Sequence, residues 1–375
     1  MTADRRDGNR GRLELRRFIL ACIAVCGLAG CAPRLQEIGP DIRQPMLTDD
    51  SIVMPDGESL PLRRWLPAGK PIATVLALHG FNDYSRAFEL PGEAWAKLGI
   101  ATYAYDQRGF GETEEVGRWP GDQQLVDDMR IANALVNAQH PDVPHFVLGE
   151  SMGGAVVMAA IDEGDVPDVT GAILVSPAVW GRDAQGPLAA GALWFFAHLV
   201  PWLPVSGEGF NVVPSDNDAM LRSMWQDPLV LKASRVDSIY GLTDLMDRSA
   251  AAVERLGPVP TLILYGANED VMPTTVVTRA LERLPKIGEA RVRVAVYSGG
   301  YHMLLRDLEA EIVWQDIASW MSDPALDLPS GADLTARRLL SNEEETLEDV
   351  AEGAGNAGRG SDATDPIPAF ARPRG

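Results

Sequence analysis

Residues 149–154 read G-E-S-M-G-G, preceded by P-H-F-V-L and followed by A-V-V-M-A-A-I. Gly149, Ser151 and Gly153 complete a G-x-S-x-G pattern where a β-rich run gives way to a helical one. A serine set between glycines at such a junction is either a turn residue or a nucleophile lifted above the end of a strand. The flanks favour the second reading. Phe146–Leu148 predicts a strand and Met152–Asp162 a helix, which is the setting a nucleophile elbow requires. The helix N-terminus beneath the serine adds free N–H groups and positive potential. Ser151 is therefore the candidate nucleophile.

Working outward, strand and helix signals alternate. Ile72–Leu78 is a continuous apolar and β-branched run, as expected of a strand covered on both faces. Pro91–Leu98 predicts a helix and Ile100–Tyr105 a strand. Asp122–Gln139 places Leu125, Met129, Ala132, Leu135 and Val136 at helical spacing, with Pro141 just past its end. Strands follow at Gly171–Val175, Thr261–Tyr265 and Val292–Tyr297, with helices at Thr274–Leu284 and Leu308–Trp320. Ile52–Trp65, with P-D-G in its middle, reads as a hairpin. The alternation implies an α/β domain over 48–321, a mostly parallel central sheet with helices on both faces. Residues 178–254 are too many for one crossover and read as an inserted, mainly helical cap. Its stretch W-F-F-A-H-L-V-P-W-L-P-V at 194–205 supplies Trp194, Phe195, Phe196 and Trp202 either to an acyl pocket or to the cap's own core.

A nucleophilic serine needs a base and an acid, and in this arrangement they follow it in the order serine, acid, histidine. Of the five histidines, His79 precedes the serine, His140 ends a surface helix, His145 begins the serine's own strand and His198 lies in the cap. His302, in S-G-G-Y-H-M after the last strand, is the candidate base. The acid should follow the penultimate strand, where L-I-L-Y-G-A-N-E-D-V-M-P offers Glu269 and Asp270. Asp270 is the first choice and Glu269 the close alternative. His302 would take the serine proton and Asp270 would hold the imidazole tautomer. The backbone N–H groups of Phe81 and Met152 would form the oxyanion hole.

The segments H-G-F-N-D-Y, Y-D-Q-R-G-F-G-E, G-E-S-M-G-G, G-A-N-E-D-V-M-P and Y-H-M-L-L-R-D resemble the monoacylglycerol lipase and lysophospholipase branch of the α/β-hydrolase superfamily, often labelled serine aminopeptidase S33-like. The resemblance runs from about Asp49 to Met321 and is weakest in the cap. It implies the α/β-hydrolase fold and cleavage of carboxylic esters of lipid-like substrates through an acyl-enzyme. Two departures stand out: Glu150 where many relatives carry His, and Gly111-Glu112-Thr113 where a G-x-S ending is commoner. An aminopeptidase-like serine hydrolase and a non-catalytic lipid-binding lipoprotein are the alternatives. An epoxide hydrolase or dehalogenase would need Asp at position 151.

The ends of the chain bear on location. Residues 1–17 hold six arginines and no lysine, and Phe18–Leu28 is a short apolar run. L-A-G-C at 28–31 then resembles a bacterial lipobox, so 1–30 is expected to be a lipoprotein signal peptide with Cys31 the lipidated residue. The other cysteines, Cys22 and Cys26, sit inside the apolar run. Ala32 after the cysteine favours the periplasmic face of the outer membrane. Residues 31–47 read as a spacer. Residues 322–375 are acidic and read as a mostly disordered tail, with a short helix near 332–350. The net charge of −20 argues against nucleic acid as a partner and against attachment to anionic lipid by charge. No cofactor or metal motif is present: no G-x-G-x-x-G loop, no P-loop and no H-E-x-x-H.

Overall fold

In the computed structural model the described residues are 33–164, 166, 168–207, 212–257, 259–285, 291–341 and 346–358. The expected signal peptide, 1–30, and Cys31 lie outside them. The strands are β1 (Met46–Leu47), β2 (Ser51–Val53), β3 (Ser59–Trp65), β4 (Ala73–Leu78), β5 (Ile100–Tyr105), β6 (His145–Glu150), β7 (Gly171–Val175), β8 (Pro204–Ser206), β9 (Ala233–Arg235), β10 (Thr261–Gly266) and β11 (Val292–Tyr297). The helices are α1 (Glu89–Lys97), α2 (Asp122–Gln139), α3 (Met152–Asp162), α4 (Arg182–Gln185), α5 (Pro187–Leu199), α6 (Asp218–Gln226), α7 (Val236–Ala252), α8 (Thr274–Glu282), α9 (Ala310–Ser322), α10 (Ala332–Ser341) and α11 (Leu347–Gly358).

Nine strands form one sheet in the order β1-β2-β3-β5-β4-β6-β7-β10-β11. The run β5-β4-β6-β7-β10-β11 is parallel throughout, and β1 to β3 join it as antiparallel strands. Strands β4, β5, β6, β7 and β10 are buried at every position, which accounts for their unbroken apolar sequences. Side chains alternate between two cores. Leu76, Leu78 and Val147 meet Leu125, Met129 and the apolar face of α3. Val75, Ala77, Phe146 and Leu148 meet Trp95, Ile317 and Trp320.

Register sets the site. Leu78 pairs with Gly149 and Glu150 with Val175. Strands β4, β6 and β7 thus end level, and the loops that begin at His79, Ser151 and Ser176 lie side by side.

Three boundaries differ from the sequence expectation. The insertion comprises α4, α5, β8, α6 and β9, with β8 and β9 paired antiparallel. Helix α7 belongs instead to the layer covering the sheet, because it packs on α3 and sends Leu245, Met246 and Ala252 into the core. The expected cap of 178–254 is too long by that helix.

The expected tail is partly folded. Helix α10 packs on β11 and buries Ala332, Ala336 and Leu339. Asp333 is buried and pairs with Arg293 at 3.3 Å. Leu347 and Val350 of α11 are buried as well. An acidic average over 322–375 hides these few apolar residues, which stand at helical spacing.

The expected spacer is fastened to the domain. Gln36 donates its backbone N–H to the Trp119 carbonyl at 2.9 Å, and its side chain reaches the carbonyls of Glu115 and Arg118. Arg34 N–H points to Asp237 at the start of α7, 3.4 Å away.

Candidate active site

Strand β6 ends at Glu150 and α3 begins at Met152, so Ser151 alone makes the turn. It sits at φ 52°, ψ −113°, a conformation that is strained for any L-residue. Its N–H donates to the Val175 carbonyl at 2.9 Å, and its carbonyl accepts from Ala178 N–H at 3.0 Å. The glycines of the motif are there for proximity. A Cβ at 149 would stand 2.3 Å from the Gly153 carbonyl oxygen, and one at 153 would stand 2.2 Å from that of Leu78. Only hydrogen at both positions lets helix and strand approach this closely. Met152 is the first residue of α3, so its N–H is one of those a helix leaves without an internal acceptor.

The loop after β4 lies against the serine. A Cβ at Gly80 would be 3.3 Å from Ser151 Cβ, which brings the backbone of residues 80 and 81 beside the nucleophile position. This loop is held from behind. Gln107 N–H donates to His79 Nε2 at 2.9 Å, so the ring proton is on Nδ1, which donates to the Gly80 carbonyl at 2.8 Å. The Gln107 side chain donates to the His79 carbonyl at 2.8 Å. Burial holds the His79 imidazole below its ordinary pKa and so neutral, as this pairing requires.

The rest of Y-D-Q-R-G-F-G-E does similar work. Asp106 accepts from Ser85 N–H and hydroxyl and from Glu112 N–H. Arg108 is buried between Asp56, which it grips with both terminal nitrogens at 2.8 and 3.0 Å, and Asp128 at 2.6 Å. Gly111, at φ 59°, has no room for a Cβ, which would stand 2.2 Å from Asp106 Oδ2. The motif is a brace for the loop of Gly80 and Phe81, a role its sequence did not disclose.

The acid position is corrected. His302 Nδ1 is 2.7 Å from Glu269 Oε2, with both side chains buried. The other oxygen of Glu269 accepts from Val271 N–H at 2.9 Å and Met272 N–H at 3.0 Å. Asp270 faces outward and accepts from Val213 N–H of the insertion at 2.7 Å. The backbone decides between them. Ala267 N–H and Asn268 N–H bond to the carbonyls of Tyr297 and Gly300. That fixes the loop with position 269 inward and 270 outward. Burial alone would lower the His302 pKa, but the charge and hydrogen bond of Glu269, joined by the charge of Glu150, raise it above its ordinary value.

The remaining histidines have other partners. His145 lies between Thr74 Oγ1 at 2.7 Å and Asn133 Oδ1 at 2.9 Å, and burial lowers its pKa to about 4. His140 meets the Tyr103 hydroxyl, and His198 meets the Trp194 carbonyl on the insertion.

Residues 213–217 of the insertion lie across the acid and histidine loops. Met303 N–H donates to the Pro214 carbonyl at 2.9 Å, and Ser215 Oγ to Asp307 Oδ1 at 2.6 Å. Asn217 donates to the Arg306 carbonyl at 3.0 Å. Beside the Gly80 loop, Phe81, Phe110 and Trp119 of the body meet Leu231, Ser234 and Ser238 around a narrow apolar slot. The cap aromatics are not in a core. Trp194, Phe195, Phe196 and Trp202 are each about half exposed, and Ala197 is the buried residue of α5.

The sequence pattern of the family described as serine aminopeptidase, S33 matches residues 69–309. A monoacylglycerol lipase of Mycolicibacterium smegmatis is 26% identical over 264 residues, covering 68% of this chain and 90% of that protein. Human monoglyceride lipase is also 26% identical, over 72% of this chain and 89% of its own. Among solved structures, the Paleococcus ferrophilus monoacylglycerol lipase superposes with a TM-score of 0.58 at 20% identity, over 70% of this chain and 98% of that one. A soluble variant of the Saccharomyces cerevisiae monoglyceride lipase gives 0.59 at 18% identity, over 77% and 96%. With the family pattern covering well over half of its length and the strand order observed above, the chain belongs to the serine aminopeptidase S33 family of α/β-hydrolases.

Proposed function

We propose that this protein hydrolyses carboxylic esters of lipid-like substrates, of monoacylglycerol or lysophospholipid type, through an acyl-enzyme on Ser151. The observation that carries the reading is a strained serine on a strand–helix turn, set beside the loops that hold a buried His302–Glu269 pair. His302 removes the Ser151 proton as Oγ attacks the ester carbonyl, then returns it to the leaving alcohol. Glu269 holds the Nδ1–H tautomer and stabilises the imidazolium. Phe81 and Met152 N–H groups take the developing oxyanion. Water, activated by the same histidine, releases the acid. Phe81, Trp119 and Leu231 give an apolar lining beside the Gly80 loop, and the names of the relatives point the same way. Activity-based labelling with a fluorophosphonate tests the nucleophile. Wild type should label once per chain and cleave monoacylglycerols and p-nitrophenyl esters. Ser151→Ala should label not at all and lose on the order of 10³-fold or more in rate. Preferential cleavage of aminoacyl p-nitroanilides would move the activity to a peptidase, and a folded protein that neither labels nor turns over would be a binder.

Cys31 is proposed as a lipid attachment point that holds the enzyme at the cell envelope, on the periplasmic face of the outer membrane. Its support is the basic, apolar and L-A-G-C sequence before it, together with a protein surface too acidic to adhere to anionic lipid unaided. A single acyl chain binds marginally, so two or more are needed. Wild type should take up labelled palmitate and stay with membranes, and Cys31→Ser should be released. An unlabelled, cytosolic wild type would refute the anchor.

A further inference from the structure

Arg306 lies four residues beyond His302, and only 8% of its side chain is exposed. Its Nη1 is 2.7 Å from Asp83 Oδ2 and its Nη2 is 3.0 Å from Glu150 Oε2. Asp83 belongs to the loop of Gly80 and Phe81. Glu150 is the residue before Ser151. One buried guanidinium thus touches the loop of the proposed oxyanion donor and the nucleophile turn while standing on the histidine loop. These segments are far apart in sequence, and Arg306 is a direct side-chain tie among all three.

Two carboxylates touch one guanidinium, and Glu150 is near enough to His302 for its charge to act on the ring. The other titratable groups around the cluster are His79 at the end of β4, Glu269 on His302, Asp307 next in sequence and Lys232 of the insertion, whose charge interacts with that of Asp83. Asp83 Oδ2, Glu150 Oε1 and Arg306 Nε are all buried without a hydrogen bond among the described residues, so the Asp83 contact is a close ion pair, whereas Nη2 also donates to Glu150 Oε2. Such an arrangement is not explained by stability. Buried ion pairs are often matched or exceeded by apolar groups of similar volume, whereas one rigid guanidinium reaches two separate carboxylates at once.

We infer that Arg306 is a positioning residue of the hydrolase site: its guanidinium sets the spacing of the oxyanion loop, the nucleophile turn and the histidine loop, and it offsets the Glu150 carboxylate beside His302. The kinetic part of this inference rests on the reading of Ser151 as the nucleophile. The electrostatic part does not, since it can be read on a protein that turns nothing over.

The test is a cycle of Arg306→Gln, Glu150→Gln and the double variant, with Arg306→Lys as the conservative change. Two quantities are measured on the full chain: the titration of the His302 Cε1–H resonance by NMR, and kcat and KM for a p-nitrophenyl ester. Removing the guanidinium should move the His302 midpoint up, and removing the Glu150 carboxylate should move it down. The double variant should return it toward wild type as the two opposite shifts cancel, and any departure from their sum is the pairwise coupling that a cycle isolates. Arg306→Gln should lower kcat on the order of 10²-fold with KM changed little, the scale of a small misplacement of reacting groups. Arg306→Lys keeps the charge and loses the fork, so its midpoint should stay near wild type while kcat falls. Restoration of kcat by the double variant would overturn positioning, and an unmoved His302 midpoint in both Gln variants would overturn the charge offset. If Arg306→Gln does not fold, Arg306→Lys and Glu150→Gln decide the same two points. A wild type that fails to label with fluorophosphonate would overturn the reading of Ser151 and, with it, the kinetic role of Arg306. The His302 midpoints would then still support or refute the charge offset.

Discussion

The loops at the ends of the parallel strands and the helix α5 on the insertion invert the usual arrangement in opposite ways. In the loops, charged and polar side chains are inside: His79, Asp106, Arg108, Glu150, Glu269, His302 and Arg306 are all buried. On α5, large apolar side chains are outside, with Leu188 87% exposed. Burying a charge is unfavourable unless it is paired, and the loops answer with partners for nearly every group. Exposing apolar surface is unfavourable unless something covers it; α5 packs on α4 and α7 and buries Ala197, but within the described residues its outer apolar side chains stay about half exposed or more. The body is therefore organised for fixed geometry, while the cap leaves large apolar side chains at its surface. Each of the following changes bears on one side of that contrast.

The largest effect should come from Glu269. Glu269→Gln keeps the shape and the hydrogen bonds from Val271 and Met272 to Oε1 but lets the histidine take the wrong tautomer. The expected loss in kcat is on the order of 10⁴-fold. Asp270→Asn, one residue away, alters an exposed side chain that accepts from Val213 N–H and should change kcat by less than about tenfold, the scale of one exposed hydrogen bond. Comparable losses in the two would return the acid role to a shared site.

Arg108 comes next, and its effect is on folding. Arg108→Ala leaves Asp56 and Asp128 without their cation, at side-chain exposures of 8% and 2%. Breaking a buried pair from one side costs about 3–5 kcal/mol, to be read from urea denaturation. A change below about 1 kcal/mol would show that the brace is redundant.

Ending the chain at Ser330 removes α10 and α11. Leu339, Leu347 and Val350 lose their burial and Arg293 loses Asp333. The domain loses the apolar contacts that these side chains make, and its stability should fall by about 1.5–3 kcal/mol, the scale of one such buried side chain. An unchanged denaturation midpoint would mean that these helices lie on the domain without stabilising it.

How much of this was legible in the sequence depended on the range of the interaction. Strands of continuous apolar sequence and helices with a clear apolar stripe announced themselves, and so did Ser151 and His302 through motif and chain order. The choice between Glu269 and Asp270 did not. It turns on which way a loop faces, and that is fixed by bonds to Tyr297 and Gly300 some thirty residues on. Averaged composition reads the tail as mostly disordered because it conceals three apolar residues at helical spacing. Helix α7 reads as part of the cap because its packing partner, α3, lies far upstream. The roles of Gln107, Arg108 and Arg306 could not be read at all, since each is defined by a partner on another loop.

The smallest effect on the fold should come from α5 and the turn after it, which carries Trp202, and it is the one that tests what the exposed surface is for. Phe195 and Trp202 are 51% and 54% exposed, so replacing them by serine removes little that the folded protein has buried. Phe195→Ser combined with Trp202→Ser should change stability by no more than about 0.5 kcal/mol, as for other surface sites. Turnover of a soluble short-chain ester should stay within about twofold, since both side chains are about half exposed and neither is among the residues assigned to the reaction. Binding to uncharged phosphatidylcholine vesicles should behave differently. Half of each large side chain is free to enter lipid, worth about 1 kcal/mol apiece by area. Loss of both should therefore weaken vesicle binding about tenfold or more. The net charge of −20 makes this attraction apolar in origin, so raising the salt should not abolish it, and anionic vesicles should bind more weakly than neutral ones. A double variant that binds vesicles as wild type does would leave the exposed face of α5 without the lipid partner its composition suits. One that loses several kcal/mol of stability would show that the helix packs against the protein after all, and would remove the contrast between cap and body.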